Sequence, residues 1–250
     1  MDRVIVVSGG GTGIGKASAR AIAADGAHVL ILGRREEVLE AATAELNREL
    51  GASSASYLRA DVSDPDDVGA VAAHVRSTYG VIDAVVNNAG GGAGVAGEGL
   101  AALADTWRAT YDQNVVTAVL LTGALSPFLR RPGGSVVLIS SMASKSGGGG
   151  GPYVAAKGAL NAWVLALTAE LAPQGITANV VAPGYTPDTE LFGAGLPEEI
   201  HDRIVERVAL GRAGRAADVA GMVRFLVSPE ASFVTGQIID VAGGSLPPKL

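Results

Sequence analysis

"SKSGGGGGPYVAAKGAL", residues 144–160, decides how many folded units the chain forms. Five consecutive glycines, Gly147 to Gly151, and a proline lead into Tyr153, and Lys157 follows four residues later in an alanine-rich run that reads as helix. The run is either a flexible linker between two domains or a loop beside a helix that carries a tyrosine and a lysine on one face. The segments on either side decide between them.

Before the glycines, short β-branched runs alternate with longer helical patterns. Strands are expected at 3–7, 27–32, 55–60 (the weakest), 82–87 and 134–140, with helices at 13–26, 35–50, 64–80 and about 100–129. Gly26, Gly51 and Gly80 mark helix ends, and Asp64-Pro65 marks a capped helix start. After the glycines come only two convincing strands, 176–182 and 237–242, with helical segments near 197–209 and 216–227. Those two strands could not cover their own sheet edges, yet they complete a sheet begun by the first five. Strands apolar throughout and separated by helices indicate a parallel sheet covered on both faces. The expectation is an α/β chain with a doubly wound, Rossmann-like sheet of about seven strands, one domain over 1–250, and the glycines as a loop within it.

Composition narrows the chemistry. Apolar residues make up 48% of the chain and charged ones 18%, enough for a sizeable core. With no cysteine, disulfides and thiolate chemistry are excluded, and His28, His74 and His201 lie in no ligand-spaced motif, so no metal site is expected. The net charge of −6 argues against nucleic acid or an anionic membrane as partner. No signal peptide or membrane-spanning run is read, which makes cytoplasmic the default location.

"VIVVSGGGTGIGKA" (4–17) sets Gly9, Gly13 and Gly15 between the first strand and first helix. Glycine there permits a tight turn and a close approach to a pyrophosphate, which the helix N-terminus then faces. The spacing Ser8-Gly9-x-x-x-Gly13-x-Gly15 resembles the T-G-x-x-x-G-x-G fingerprint of the short-chain dehydrogenase/reductase family, with serine for threonine. Asp61-Val62, Asn87-Asn88-Ala89-Gly90, Asn114, Ser140-Ser141, Tyr153-x-x-x-Lys157, Pro183-Gly184 and "VTGQIIDVAGG" (234–244) then follow in the family's order, so the resemblance covers nearly the whole chain.

It implies a nicotinamide dinucleotide held by Ser8, Gly9, Thr12, Gly13, Ile14, Gly15, Arg34, Asp61, Val62, Asn88, Ala89, Gly90, Tyr153, Lys157, Pro183, Gly184 and Thr186, with Thr189 the alternative to Thr186. An acidic residue after the second strand would bind a ribose hydroxyl and repel a 2′-phosphate. Here Gly33 is followed by Arg34 and Arg35, and a guanidinium pairs with phosphate. NADP(H) is therefore read as preferred, with NAD(H) the alternative, although Thr12 stands where NADP-preferring members often carry a basic residue.

Four residues apart on a helix, Tyr153 and Lys157 share a face. Poising a phenol near neutrality takes about 4 kcal/mol, and one ammonium at about 4 Å supplies a similar amount at an effective dielectric near 20. By resemblance, Tyr153 is the general acid and base, Lys157 tunes it and holds the nicotinamide ribose, Ser141 hydrogen-bonds the substrate oxygen, and Asn114 holds a relay water. Counting back from the tyrosine selects Ser140 instead. The strand-end register selects Ser141, which is preferred because glycines absorb a deletion more easily than a strand absorbs a flip. Five glycines also leave room for a bulky substrate.

The function implied is interconversion of a ketone and a secondary alcohol, a small-molecule carbonyl or alcohol being the partner, with similarity to 3-oxoacyl-(acyl carrier protein) reductases. A loop at about 184–210 covers the substrate in the family, and tetramers are common there. A non-catalytic NADP(H)-sensing protein is the rival from another class, disfavoured because all four catalytic positions are filled.

Overall fold

The computed structural model describes residues 3–92, 97–189 and 195–245. Seven strands form one parallel sheet: β1 (Val4–Ser8), β2 (His28–Gly33), β3 (Ala55–Arg59), β4 (Ala84–Asn87), β5 (Ser135–Ile139), β6 (Thr177–Pro183) and β7 (Ile238–Val241), in the order β3-β2-β1-β4-β5-β6-β7. Each strand lies within two residues of its expected place. The third strand reads weakly because β3 is an edge strand, covered on fewer sides. β6 and β7, which follow the glycine run, extend the same sheet that β1 to β5 begin.

Strand alternation sends neighbouring apolar residues to opposite faces. Val4 and Val6 pack beneath α3 (Pro65–Thr78), α5 (Thr117–Leu125) and α7 (Gly151–Leu171) through Val71, Leu121 and Leu160. Ile5 and Val7 pack beneath α1 (Gly13–Ala24), α2 (Glu36–Leu50) and α9 (Ala216–Leu226) through Ile22, Leu46 and Val223.

The expected boundary signals act as written in the sequence. The Asp64 carboxylate accepts from the N–H groups of Asp66 (2.8 Å) and Asp67 (3.4 Å), with Pro65 opening α3. The expected helix over 100–129 is not continuous, however. It divides into α4 (Gly99–Tyr111), a π-helical turn at Asp112–Val116, and α5. The cause is local: the buried Asn114 amide donates to the Thr110 carbonyl at 2.8 Å, inserting a side chain into the ladder that a regular helix would close. A four-residue helix, α6 (Ala143–Ser146), and α8 (Glu198–Val205) complete the set among the described residues. Residues 190–194 of the expected substrate cover lie outside the described residues.

Candidate active site

Strand order reverses direction between β1 and β4, and a cleft of about 1290 Å³ opens beyond the carboxyl ends of these strands. Gly9 and Gly13 enter its wall at φ of +63° and +51°, conformations that favour glycine. Gly15 lies behind them in the first turn of α1. A Cβ there would sit 2.1 Å from the Gly9 carbonyl oxygen and 2.5 Å from Asn88 Nδ2, so the loop closes on the helix only because no side chain intervenes. Thr12 occupies the cap position of α1 and makes no capping bond with its side chain, so the helix's first N–H groups remain for an acceptor in the cleft.

Ser8 does not face the cleft. Its Oγ accepts the N–H groups of Asn88 and Ala89, both at 3.0 Å, and donates to the Val86 carbonyl at 3.4 Å. Asn88 returns the tie, donating from Nδ2 to the carbonyls of Ser8 (3.0 Å) and Gly9 (3.2 Å). Ser8 and Asn88 thus lock the cradle to the end of β4, and Asn88, Ala89 and Gly90 line the cleft.

Arg34, Asp61 and Val62 line the cleft beyond β2 and β3. The Ser63 hydroxyl donates to Asp61 at 2.6 Å and holds that carboxyl below its usual range. Arg34 and Arg59 push the same way, against a raising contribution from burial. Across the cleft, Pro183, Gly184 and Thr186 form a wall where Thr186 donates to the Gly184 carbonyl (3.2 Å) and Thr189 to the Thr186 carbonyl (2.9 Å). The two threonines left open by the sequence therefore stand together, and the Thr189 methyl lies 3.4 Å from where a Gly13 Cβ would be.

The face of α7 carrying Tyr153 and Lys157 meets the turn that follows β5. The Ser141 hydroxyl stands close enough to Tyr153 to act on its phenol. The Ser140 hydroxyl points the other way and donates to the Lys157 backbone carbonyl at 2.9 Å, so it is spent on holding the helix. Lys157 is 4% exposed; its Nζ donates to the Ile139 carbonyl at 2.9 Å and lies 5.7 Å from the centre of the Tyr153 ring. Asn114 stands behind the wall. Its Nδ2 donates to the Gly91 carbonyl (2.8 Å) and its Oδ1 accepts the Gly91 N–H (3.1 Å), and a Cβ on Gly90 would meet that Oδ1 at 2.7 Å and Lys157 Nζ at 3.1 Å.

Burial pushes the Tyr153 phenol up, partly offset by the Ser141 hydroxyl. Burial pushes Lys157 down to about 8. A lysine depressed in this way carries its penalty below that value. Between about pH 8 and 10.5 the unfolded chain holds a proton that the native state has lost, so native stability rises with pH there. The stability difference between the wild type and Lys157→Met should therefore shift toward the wild type across that window by on the order of 3 kcal/mol. Urea unfolding at a series of pH values reads it directly, and a pH-independent difference would contradict the assignment.

Sequence reasoning overlooked several residues in this region. Tyr185, Ile204 and Arg207 also line the cleft, and Ser144 and Asn161 bond to the turn after β5. Asn161 alone left a readable trace, standing four residues beyond Lys157 on the same helix face.

The family model described as enoyl-(acyl carrier protein) reductase matches residues 9–245. A 3-oxoacyl-(acyl-carrier-protein) reductase of Chlamydia muridarum is 33% identical over 248 residues, covering 98% of this chain and 97% of the relative. A short-chain type dehydrogenase/reductase from Mycobacterium ulcerans superposes with a TM-score of 0.86 at 32% identity, over 98% of this chain and 90% of that one. An actinorhodin polyketide ketoreductase variant solved with NADPH superposes with a TM-score of 0.85 at 32% identity, over 97% of both chains. Cleft, cradle and matches converge: the chain belongs to the short-chain dehydrogenase/reductase family, oxidoreductases that act on CH–OH or C=O groups with a nicotinamide dinucleotide.

Proposed function

We propose that this protein is an NADP(H)-dependent ketoreductase, interconverting a ketone and a secondary alcohol. The carrying observation is that Ser141, Tyr153 and Lys157 converge in the wall of the cleft into which the glycine cradle opens, with the buried Lys157 amine 5.7 Å from the centre of the Tyr153 ring. The residues fit a dinucleotide: a cradle that a single Cβ would block at Gly15, unoccupied N–H groups at the start of α1, and an arginine at the far end.

When bound, the dinucleotide supplies or accepts the hydride, and the chain's own residues handle position and proton. Tyr153 gives its proton to the carbonyl oxygen in reduction and takes it back in oxidation. Ser141 donates to that oxygen as negative charge develops. Lys157 stabilises the phenolate and would hold the ribose of the dinucleotide. Asn114 sets the Gly90–Gly91 turn beside Lys157, and Thr186 with Thr189 would meet the nicotinamide. Turnover across a panel of ketones and secondary alcohols, followed by NADPH absorbance, tests the reading; tight NADPH binding without any turnover would overturn it.

NADP(H) is favoured over NAD(H) by Arg34, which is exposed in the cleft wall and acts electrostatically on Asp61. Arg34→Ala is expected to raise the KM for NADPH about 10- to 100-fold, as loss of a charge-assisted hydrogen bond would. The KM for NADH should change far less. Equal effects on both would refute the preference.

The chain is further proposed to work as one domain over 1–250 with the segment at 184–210 covering the substrate, as a cytoplasmic homotetramer. Exposed Leu100, Leu103, Trp107 and Tyr111 along α4 support an oligomer. The Chlamydia relative favours a second reading, a β-ketoacyl thioester as substrate; assaying such thioesters against free ketones separates the two.

A further inference from the structure

One face of α7 is tied to the end of β5 and the turn after it by three hydrogen bonds that involve side chains. Two adjoin the groups described above: Lys157 Nζ to the Ile139 carbonyl, and Ser140 Oγ to the Lys157 carbonyl. The third has no part in that reading. Asn161 Nδ2 donates to Ser144 Oγ at 2.9 Å, and Ser144 Oγ donates in turn to the Ser141 carbonyl at 2.6 Å. The Ser144 N–H reaches the same carbonyl at 3.1 Å. The Ala143 N–H meets Ser141 Oγ, also at 3.1 Å, which leaves the serine's own proton to point outward.

The chain of donors runs one way, from amide to hydroxyl to carbonyl, and such chains strengthen each link. The turn needs an external tie. Immediately after α6 come the five glycines, with Gly147, Gly149 and Gly150 at φ of +78°, +97° and +86°, a backbone that restrains little by itself. The amide also carries a burden: Asn161 Oδ1 is buried with no partner among the described residues. An apolar residue would avoid that cost, so what the position uses is the N–H.

We propose that Asn161, acting through Ser144, is a positioning residue that fixes the Ser141 hydroxyl for the reaction; the inference rests on the role given to Ser141 above. Steady-state reduction of a ketone taken from the substrate panel tests it in Asn161→Ala, Ser144→Ala, Ser141→Ala and the double variant Asn161→Ala/Ser141→Ala, with thermal midpoints recorded. Asn161→Ala and Ser144→Ala should each lower kcat roughly 10- to 30-fold, with the KM for NADPH within about twofold, because misplacement of one group is felt in the transition state. In the Ser141→Ala background, Asn161→Ala should add less than about twofold, the mark of two residues acting through one. Asn161→Asp has the same outline but no N–H to give, and should be as slow as alanine. Ser144→Thr keeps the hydroxyl and should recover most of the rate.

Normal kcat in Asn161→Ala, or losses that multiply in the double variant, overturns the proposal. Should Asn161 variants not fold, Ser144→Ala decides alone: a tenfold loss supports the proposal and normal turnover refutes it. Normal turnover in Ser141→Ala is a separate outcome, in which the role of Ser141 fails and the positioning role falls with it.

Discussion

Replacing Tyr153 with phenylalanine is expected to lower turnover by about 10²- to 10⁴-fold while dinucleotide affinity stays within about threefold. The substitution removes one hydroxyl from a half-buried ring and leaves its packing, so the loss falls on proton transfer. It corresponds to roughly 3–5 kcal/mol of barrier. The structure also revises how the phenol is tuned. The Lys157 ammonium stands 5.7 Å from the ring centre, burial works against the phenolate, and the Ser141 hydroxyl works with it. The positive charge of an oxidised nicotinamide would add to the lysine's effect. Reduction therefore starts from a phenol that is protonated at neutral pH, whereas oxidation needs the phenolate. Initial rates of reduction should fall, and those of oxidation rise, as pH climbs through this titration. Lys157 loses its charge around pH 8 as well. Parallel pH profiles for the two directions would refute the assignment, as would turnover in the phenylalanine variant within tenfold of the wild type.

Gly15→Ala carries the second large effect. Its methyl would lie 2.1 Å from the Gly9 oxygen and 2.8 Å from the Gly9 carbonyl carbon, backbone atoms that cannot swing aside. Either α1 or the Gly9 turn must move, at about 1–3 kcal/mol or more for an overpacked site. At the size of this chain that lowers the thermal midpoint by several degrees, about 2–4 °C per kcal/mol. Because the displaced turn is the cradle itself, NADPH affinity should fall at least about 100-fold, a 1 Å misplacement being sufficient for that. Gly69 on α3 is the control: it is exposed, and a Cβ there meets nothing within 4 Å. Gly69→Ala should leave NADPH binding intact and stabilise by up to about 1 kcal/mol. Binding measured by fluorescence titration, together with thermal melts of both variants, would expose an error: wild-type affinity in Gly15→Ala means that Gly15 does not close the cradle.

What the sequence determined by itself is what short-range physics writes into neighbouring residues. Apolar runs parted by helices announced a parallel sheet, since strands buried on both faces have no polar side to show. Asp64-Pro65 and Gly26, Gly51 and Gly80 announced helix ends, because capping and positive φ are demands on one residue. The four-residue step from Tyr153 to Lys157 announced a shared face by helix period alone. Only the tertiary structure decided where hydroxyls and amides point. Ser140 and Ser141 are adjacent and chemically identical; one is spent on the Lys157 carbonyl and the other meets Tyr153, a difference set by α7 lying across the end of β5. Ser8 turns to the N–H groups of Asn88 and Ala89, eighty residues away, and Asn114 breaks its own helix to hold Gly91. A polar side chain finds whichever partner the packed layers bring within 3 Å, and no local pattern records that choice.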